Sequence, residues 1–148
     1  MNKRTSTLAL AAAGILTLGT ALAGCSAIDE IAYKQKSEMF DTAAALAESG
    51  VNAPWVPADA SGIRVTRTTV SGAGDASVLV DSDADLDPAL CTEVDRQSAP
   101  VYDVEGAPNA LKADTVFACG AWSVMPADGG WYGWAPNHPD EAAQAARP

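Results

Sequence analysis

An apolar run from about Thr7 to Ala23 limits the fold more than any other feature, because it marks an N-terminal segment that is not part of the folded domain. It follows a short positive segment, Met1-Asn2-Lys3-Arg4, and is rich in Leu and Ala. At ~1.5 Å per residue, a helix over this run spans roughly 25 Å, which is short of the ~30 Å hydrocarbon core of a bilayer. Charge, length and position are typical of a secretory signal peptide rather than of a permanent transmembrane helix. We therefore expect residues 1–24 to be removed, which leaves a mature chain that suits one small domain.

The apolar run ends in Leu22-Ala23-Gly24-Cys25, where small residues precede a thiol. Small side chains let an extended chain enter a peptidase cleft, and the thiol of Cys25 can accept a diacylglyceryl group. These four positions resemble the lipobox of bacterial lipoprotein export signals, which reads Leu, small, small, Cys. The resemblance covers residues 1–25. It implies that Cys25 carries lipid and that the protein is anchored in the cell membrane at its extracytoplasmic face, effectively permanently. The alternative is a plain secretory peptide cleaved near Ala23, with Cys25 incidental.

The three cysteines of the chain fit this setting. If Cys25 carries lipid, Cys91 and Cys119 remain as one pair, which is expected to be oxidised outside the cytoplasm. The bridge would close a loop of about 28 residues and contribute about 3–4 kcal/mol. Two buried free thiols are the alternative. A zinc site is disfavoured because it needs about four ligands, and the single histidine, His138, lies in a Pro-rich tail.

The net charge of the mature chain limits the classes of partner that it can bind. Removing residues 1–24 deletes Lys3 and Arg4 and no acidic residue, which leaves seven basic and nineteen acidic residues and a formal charge of −12. Nucleic-acid phosphates would be repelled, so no nucleic-acid partner is expected. Electrostatic docking onto anionic headgroups is disfavoured as well, so the lipid on Cys25 would have to hold the protein at the membrane.

The start of the mature chain predicts a helix from about Ala27 to Ser49. Its apolar residues recur at helical spacing, and Ser26 with Asp29 fits a capping box. Gly50 is the expected stop. Trp55 lies in a Pro-containing loop after this helix and is expected to close the edge of the core.

The remaining sequence predicts strands and turns. Together they give an α+β fold in residues 25–136, with the N-terminal helix packed on an antiparallel sheet of about four strands and one disulfide. Residues 137–148 are predicted to form a flexible tail. The predicted strands are 62–70, 76–80, 115–125 with a bulge at Gly120, and 131–135. A hairpin turn is predicted at 71–75, a short helix capped by Asp87 at 88–94, and an irregular segment at 97–113.

Four alternating aspartates raise the question of a metal site: Asp81, Asp83, Asp85 and Asp87. Their start resembles a calcium-binding EF-hand loop. However, Leu86 stands at the position that requires Gly, and Thr92 stands where a bidentate Glu belongs. An exposed acidic turn is therefore the preferred interpretation, and no metal or other cofactor is predicted.

Aromatic residues cluster near the C-terminus, and Trp122, Trp131 and Trp134 are the candidates for a ligand-binding surface. Exposed rings could stack on sugars at a cell envelope. A small domain with only two Phe also needs large rings in its core, and core packing is the preferred interpretation for most of them.

No motif for catalysis stands out. His138 has no nucleophile with a recognisable motif beside it, and neither G-x-S-x-G nor a phosphate-binding Gly-rich loop occurs. No catalytic residue is predicted. The preferred hypothesis is a membrane-anchored, non-catalytic module that binds a protein partner of the cell envelope. The alternatives are small-ligand or glycan binding through the C-terminal Trp residues, and an uncharacterised hydrolase.

Overall fold

The computed structural model describes residues 33–145. The predicted signal peptide, the lipobox and Cys25 lie outside this range. The elements in chain order are β1 (Gln35–Phe40), α1 (Ala43–Glu48), β2 (Ser61–Thr68), β3 (Ala76–Asp81), β4 (Cys91–Asp95), a 3-10 turn (Ala110–Lys112), β5 (Thr115–Cys119), β6 (Trp122–Ala127), β7 (Gly130–Ala135) and α2 (Pro139–Gln144). The seven strands form one sheet in the order β1-β2-β3-β7-β6-β5-β4, in which every neighbouring pair is antiparallel.

Both faces of the sheet are covered. Alternation along β3 sends Val78 and Val80 to a first face and Leu79 to a second, and all three are buried. On the first face these valines join a core that includes Leu46 of α1 and Trp55 of the following loop. Val104, Ala110 and Ala145 belong to the core of the second face. The sheet is therefore packed between N-terminal segments on one side and the 96–114 connection with α2 on the other.

The predicted fold class, an N-terminal helix on about four strands, is wrong. Residues 35–40 form a strand, not part of a helix, and the helix that follows has six residues. Glu38 lies opposite Val65, and the whole of β1 is in register with β2. The hydrogen bonds of this long-range ladder outweigh a helical periodicity that the local sequence supports only weakly. The part of the predicted helix at residues 27–32 lies outside the described residues.

Two further differences concern short segments around the disulfide. Asp87 accepts a hydrogen bond from the Ala89 amide, as a cap would, but the chain makes only a turn and then enters β4. The predicted strand 115–125 is a hairpin of β5 and β6. Gly120, with φ of +64°, lies in its turn and is not a bulge.

The C-terminal segment is the last correction. Residues 139–144 of the predicted flexible tail form α2, and its residue Glu141 is fully buried. His138 begins this helix as its N-cap, with 44% of its side chain exposed. Pro139 at the first helical position and the capping box explain why so short a helix forms.

Other predictions are confirmed. The hairpin of β2 and β3, the last strand β7 and the buried position of Trp55 are all present. Cys91 and Cys119 form the predicted disulfide. They lie directly opposite each other on β4 and β5, so the bridge joins two neighbouring strands rather than a helix and a strand. In the described part of the chain, no helix is long and apolar enough to cross a membrane.

Candidate binding surfaces

The antiparallel pairing gives the sheet two distinct ends. The near end is defined by the strand termini Gln35, Thr68, Ala76, Cys91, Cys119, Trp122 and Ala135. The far end is defined by the opposite termini Phe40, Ser61, Asp81, Asp95, Thr115, Ala127 and Gly130. Lys34, which precedes β1, lies at the near end because its carbonyl accepts a hydrogen bond of 2.8 Å from the Thr69 amide.

A hollow of about 520 Å³ opens at the near end. Its wall consists of the loop from Gly50 to Pro54, the turn between β2 and β3, and the turn between β5 and β6. A second hollow of about 440 Å³ lies between the same loop and α1. The small residues of the two turns leave this space open, and Arg67 and Asp75 are the charged residues that line it.

Trp122 and Cys119 are the predicted site residues that line the near-end hollow. The Trp122 ring is 5% exposed and its centroid lies 5.9 Å from that of Trp55. Its indole N–H donates to the Asn52 carbonyl at 2.9 Å. Trp122 therefore fixes the loop that forms the wall, and little of its ring is free to meet a ligand.

The other two candidate tryptophans lie elsewhere. Trp134 is 1% exposed, sits on the second face, and donates from its indole N–H to the Ser98 hydroxyl at 2.9 Å. Trp131 is half-buried on the first face, edge-on to Phe117, and donates to the Ala84 carbonyl. The structure thus does not bring Trp122, Trp131 and Trp134 together on one surface, and only Trp131 shows a substantial part of its ring.

Within residues 33–145, the side chain that accepts the most hydrogen bonds is Glu141, for which the sequence predicts no role. The buried Glu141 carboxylate accepts hydrogen bonds from the backbone amides of Gln97, Ser98 and His138 and from the hydroxyls of Ser98 and Ser123. Burial alone raises the pKa of Glu141, but these donors outweigh burial and hold the pKa below its ordinary value. A charged carboxylate that accepts five hydrogen bonds ties α2 to the sheet and to the connection after β4. The capping-box spacing from His138 to Glu141 was the available sequence signal.

The acidic loop after β3 is held by hydrogen bonds to Asp59, which lies just before β2. Asp59 accepts from the Ser82 hydroxyl at 2.6 Å and from the Asp83 amide at 3.2 Å. The Ser82 hydrogen bond is the main reason why the pKa of Asp59 is lowered. Across residues 33–145, no group of three or more His, Cys, Asp or Glu side chains is placed to hold a metal ion.

The edge strand β1 presents a second candidate surface. It ends the sheet order, so its outer backbone edge has no strand partner among the described residues. Met39 is 77% exposed on it. A shallow groove of about 330 Å³ runs beside Met39, between β1 and the segment Asp103–Glu105. Arg64 holds that segment in place by donating to the Glu105 carbonyl at 3.2 Å.

The two sides of β1 differ in charge. On the side of the first face, Glu38 accepts from Lys36 and Arg67, each at 2.8 Å. Burial raises the pKa of Glu38, and these two cations outweigh burial and lower it. The opposite side carries Ser37 and Met39, with Ser37 hydrogen-bonded to Thr66 at 3.1 Å. The groove is therefore bordered by an uncharged strip of β1. Residues 35–40 contain no β-branched residue that would predict a strand, so this surface is not predictable from the sequence.

Comparisons with known proteins found no relative of this chain. The chain matches no known protein family, no curated protein and no solved structure.

Proposed function

We propose that the chain is a membrane-anchored, non-catalytic lipoprotein, held by lipid on Cys25, whose domain binds a protein partner of the cell envelope through β1. The observation that carries this proposal is the open edge of β1 beside the groove at Met39. Unpaired N–H and C=O groups of an edge strand are a template for a strand from another chain.

The shape of the edge favours a polypeptide as its occupant. A strand added to β1 would continue the ladder and send alternate side chains toward the groove and away from it. Met39 would supply an adaptable apolar contact, because its thioether side chain is flexible and polarisable. A six-residue strand also offers a full edge of typical length for such pairing.

The charges on β1 and β2 differ from those of the rest of the domain. Lys34, Lys36, Arg64 and Arg67 lie on or next to β1 and β2 and outnumber Glu38, which gives residues 33–40 and 61–68 a formal charge of +3. Elsewhere acidic residues dominate, since the described residues contain six basic and seventeen acidic side chains. The other wall of the groove carries Asp103 and Glu105. A partner would therefore meet charges of both signs, and the backbone ladder rather than charge would position it.

Two carboxylates with lowered pKa values support a non-catalytic role. Glu141 is occupied by five donors, and Glu38 is paired with two cations. In both cases the charged form is stabilised by the fold, whereas a general acid or base usually has its pKa moved toward the working pH.

Site-specific photocrosslinking in the native membrane tests this proposal. A benzophenone amino acid in place of Met39 should give a discrete crosslinked protein. The same probe in place of Leu111, which is 67% exposed on another surface, is the matched control and should not give that protein. The purified partner should then bind the lipidated domain directly, and Met39→Glu should weaken binding at least about tenfold, a loss of ~1.4 kcal/mol.

Leu111→Glu controls for the added charge and should leave the affinity unchanged. Identical crosslinked products from positions 39 and 111, or equal weakening by both substitutions, would exclude β1 as the binding edge. Unmodified Cys25 in the protein purified from its own membrane would exclude the anchor separately.

A further inference from the structure

We infer that the near end of the sheet is a membrane-facing surface that rests on the lipid headgroups, with the far end directed away from the bilayer. This inference rests on the lipid anchor at Cys25 proposed above. It goes further because it assigns an orientation and a set of contacting loops: residues 33–34, 69–74 and 120–121.

The chain enters the domain at the near end of the sheet. Tyr33 and Lys34 lie at the near end, where Lys34 accepts hydrogen bonds from the Thr69 amide and the Thr68 hydroxyl. Eight residue steps separate Cys25 from Tyr33. Fully extended, these steps reach at most about 26–29 Å.

The length of the sheet is comparable to the reach of the linker. The six residues of β1 span about 20 Å at roughly 3.3 Å per residue. If the far end faced the bilayer, the linker would have to run back along the whole sheet, and most of its reach would be consumed. With the near end at the bilayer, no such return is needed.

The two ends of the sheet differ in formal charge, and this difference favours the same orientation as the position of the linker. The near-end strand termini, counted with the two residues beyond each, contain one lysine and one aspartate, Lys34 and Asp75, and have no net formal charge. The far-end termini, counted in the same way, contain seven aspartates and one arginine, a formal charge of −6. These are Asp41, Asp59, Asp81, Asp83, Asp95, Arg96, Asp114 and Asp128.

Salt screens the repulsion between the far-end aspartates and anionic headgroups only when the two are far apart, so the near end is favoured at the bilayer. The Debye length is about 8 Å at physiological ionic strength, so charges about 20 Å from anionic headgroups are largely screened. With the near end down, the far-end aspartates stand more than two Debye lengths away. With the far end down, all of them would meet the negative surface directly.

The near end also has surface suited to a headgroup layer. Tyr33 is 68% exposed and Val70 is 46% exposed at its rim. Tyrosine is favoured at membrane interfaces, because its ring is apolar and its hydroxyl stays in water. The turns between them carry mainly Gly, Ala and Ser, which let the backbone approach a surface closely.

Fluorescence quenching on vesicles tests the orientation. With Cys25 acylated and Cys91 bonded to Cys119, one added cysteine is the single free thiol. Ser71→Cys at the near end and Asp128→Cys at the far end, both at exposed positions, would each carry an environment-sensitive fluorophore. The lipidated full-length mature protein is placed in phosphatidylcholine–phosphatidylglycerol vesicles, with or without spin-labelled lipid.

Quenching should be at least threefold stronger at position 71 than at position 128. A third label, at Ala121→Cys on the other near-end turn, should behave like position 71. Equal quenching at the two ends, or stronger quenching at position 128, overturns the orientation even though the protein is anchored. Mass spectrometry of the same sample separates this result from loss of the proposed function, because a bare Cys25 thiol would contradict the anchor itself.

Discussion

The carboxylate of Glu141 accepts a hydrogen bond of 2.8 Å from the hydroxyl of Ser123, and both residues are fully buried. Ser123 lies on β6 near the middle of the sheet, whereas Glu141 lies on α2 at the end of the described chain. The same carboxylate also binds the Ser98 hydroxyl at 2.6 Å. A helix too short to be stable alone is thus fixed to the second face by one ionised side chain.

Glu141→Gln should therefore destabilise the fold. The amide keeps one acceptor but presents an NH₂ group to donors, so at least one buried hydrogen bond is lost and another is opposed. We expect a loss of about 2–4 kcal/mol in the free energy of unfolding, measured by urea denaturation at neutral pH. Asp140→Asn, on the same helix but exposed, is the matched control and should change stability by less than about 0.5 kcal/mol. Similar losses in both variants would mean that Glu141 contributes no more than a surface charge.

Stability should also fall in acid, and Glu141 should cause part of the fall. Its folded-state pKa is lowered from 4.5, as is that of Glu38. A lowered pKa stabilises the fold above the unfolded-state pKa, and this contribution is lost as the pH falls through the folded-state value. We expect unfolding free energy to be nearly flat near neutral pH and to decrease below about pH 4.5. In Glu141→Gln the unfolding free energy should decrease less steeply with falling pH. If the decrease is as steep as in the parent, Glu141 does not contribute to the loss of stability in acid.

The sequence predicts the central strands well because their signals are local. Val78, Leu79 and Val80 form an apolar run with two β-branched residues next to a Gly-rich turn, and this pattern predicts the hairpin of β2 and β3. The cysteine count predicts the disulfide, and the structure shows that Cys91 and Cys119 are cross-strand neighbours.

The edge elements could not be predicted because their stability comes from distant residues. Gln35–Phe40 contains no β-branched residue, and it is a strand because of its register with β2. Residues Pro139–Gln144 look polar and Ala-rich, and their helix depends on Ser98 and Ser123 as partners of Glu141. The candidate surface at Met39 is not predictable for the same reason, since it exists only once β1 has paired with β2.

Removing the disulfide should lower thermal stability. Replacing both Cys91 and Cys119 by Ala avoids leaving a buried hydroxyl or thiol unpaired, because both positions are buried. A bridge across 28 residues contributes about 3–4 kcal/mol in the chain-entropy view, which corresponds to a Tm decrease of roughly 10 °C for a domain of this size. Calorimetry of the parent in a reducing agent should reproduce this decrease, and the double variant should not respond to the reductant. A parent whose Tm is the same with and without reductant would show that the bridge is not formed in solution.

The contact between Gly133 and Trp55 gives a further test of how the first face is packed. A Cβ at position 133 would lie 2.5 Å from Cζ2 of Trp55, well inside van der Waals contact. Gly133→Ala should therefore push the buried indole out of place and reduce the free energy of unfolding by about 1–3 kcal/mol. Gly74→Ala is the matched control, because a Cβ at position 74 would meet no atom within 4 Å. It should be neutral, or stabilising by up to about 1 kcal/mol through the unfolded state. Chemical denaturation followed by the summed fluorescence of the four tryptophans measures the stability of both variants. Equal stability of the two variants would mean that Trp55 does not pack on β7 as described.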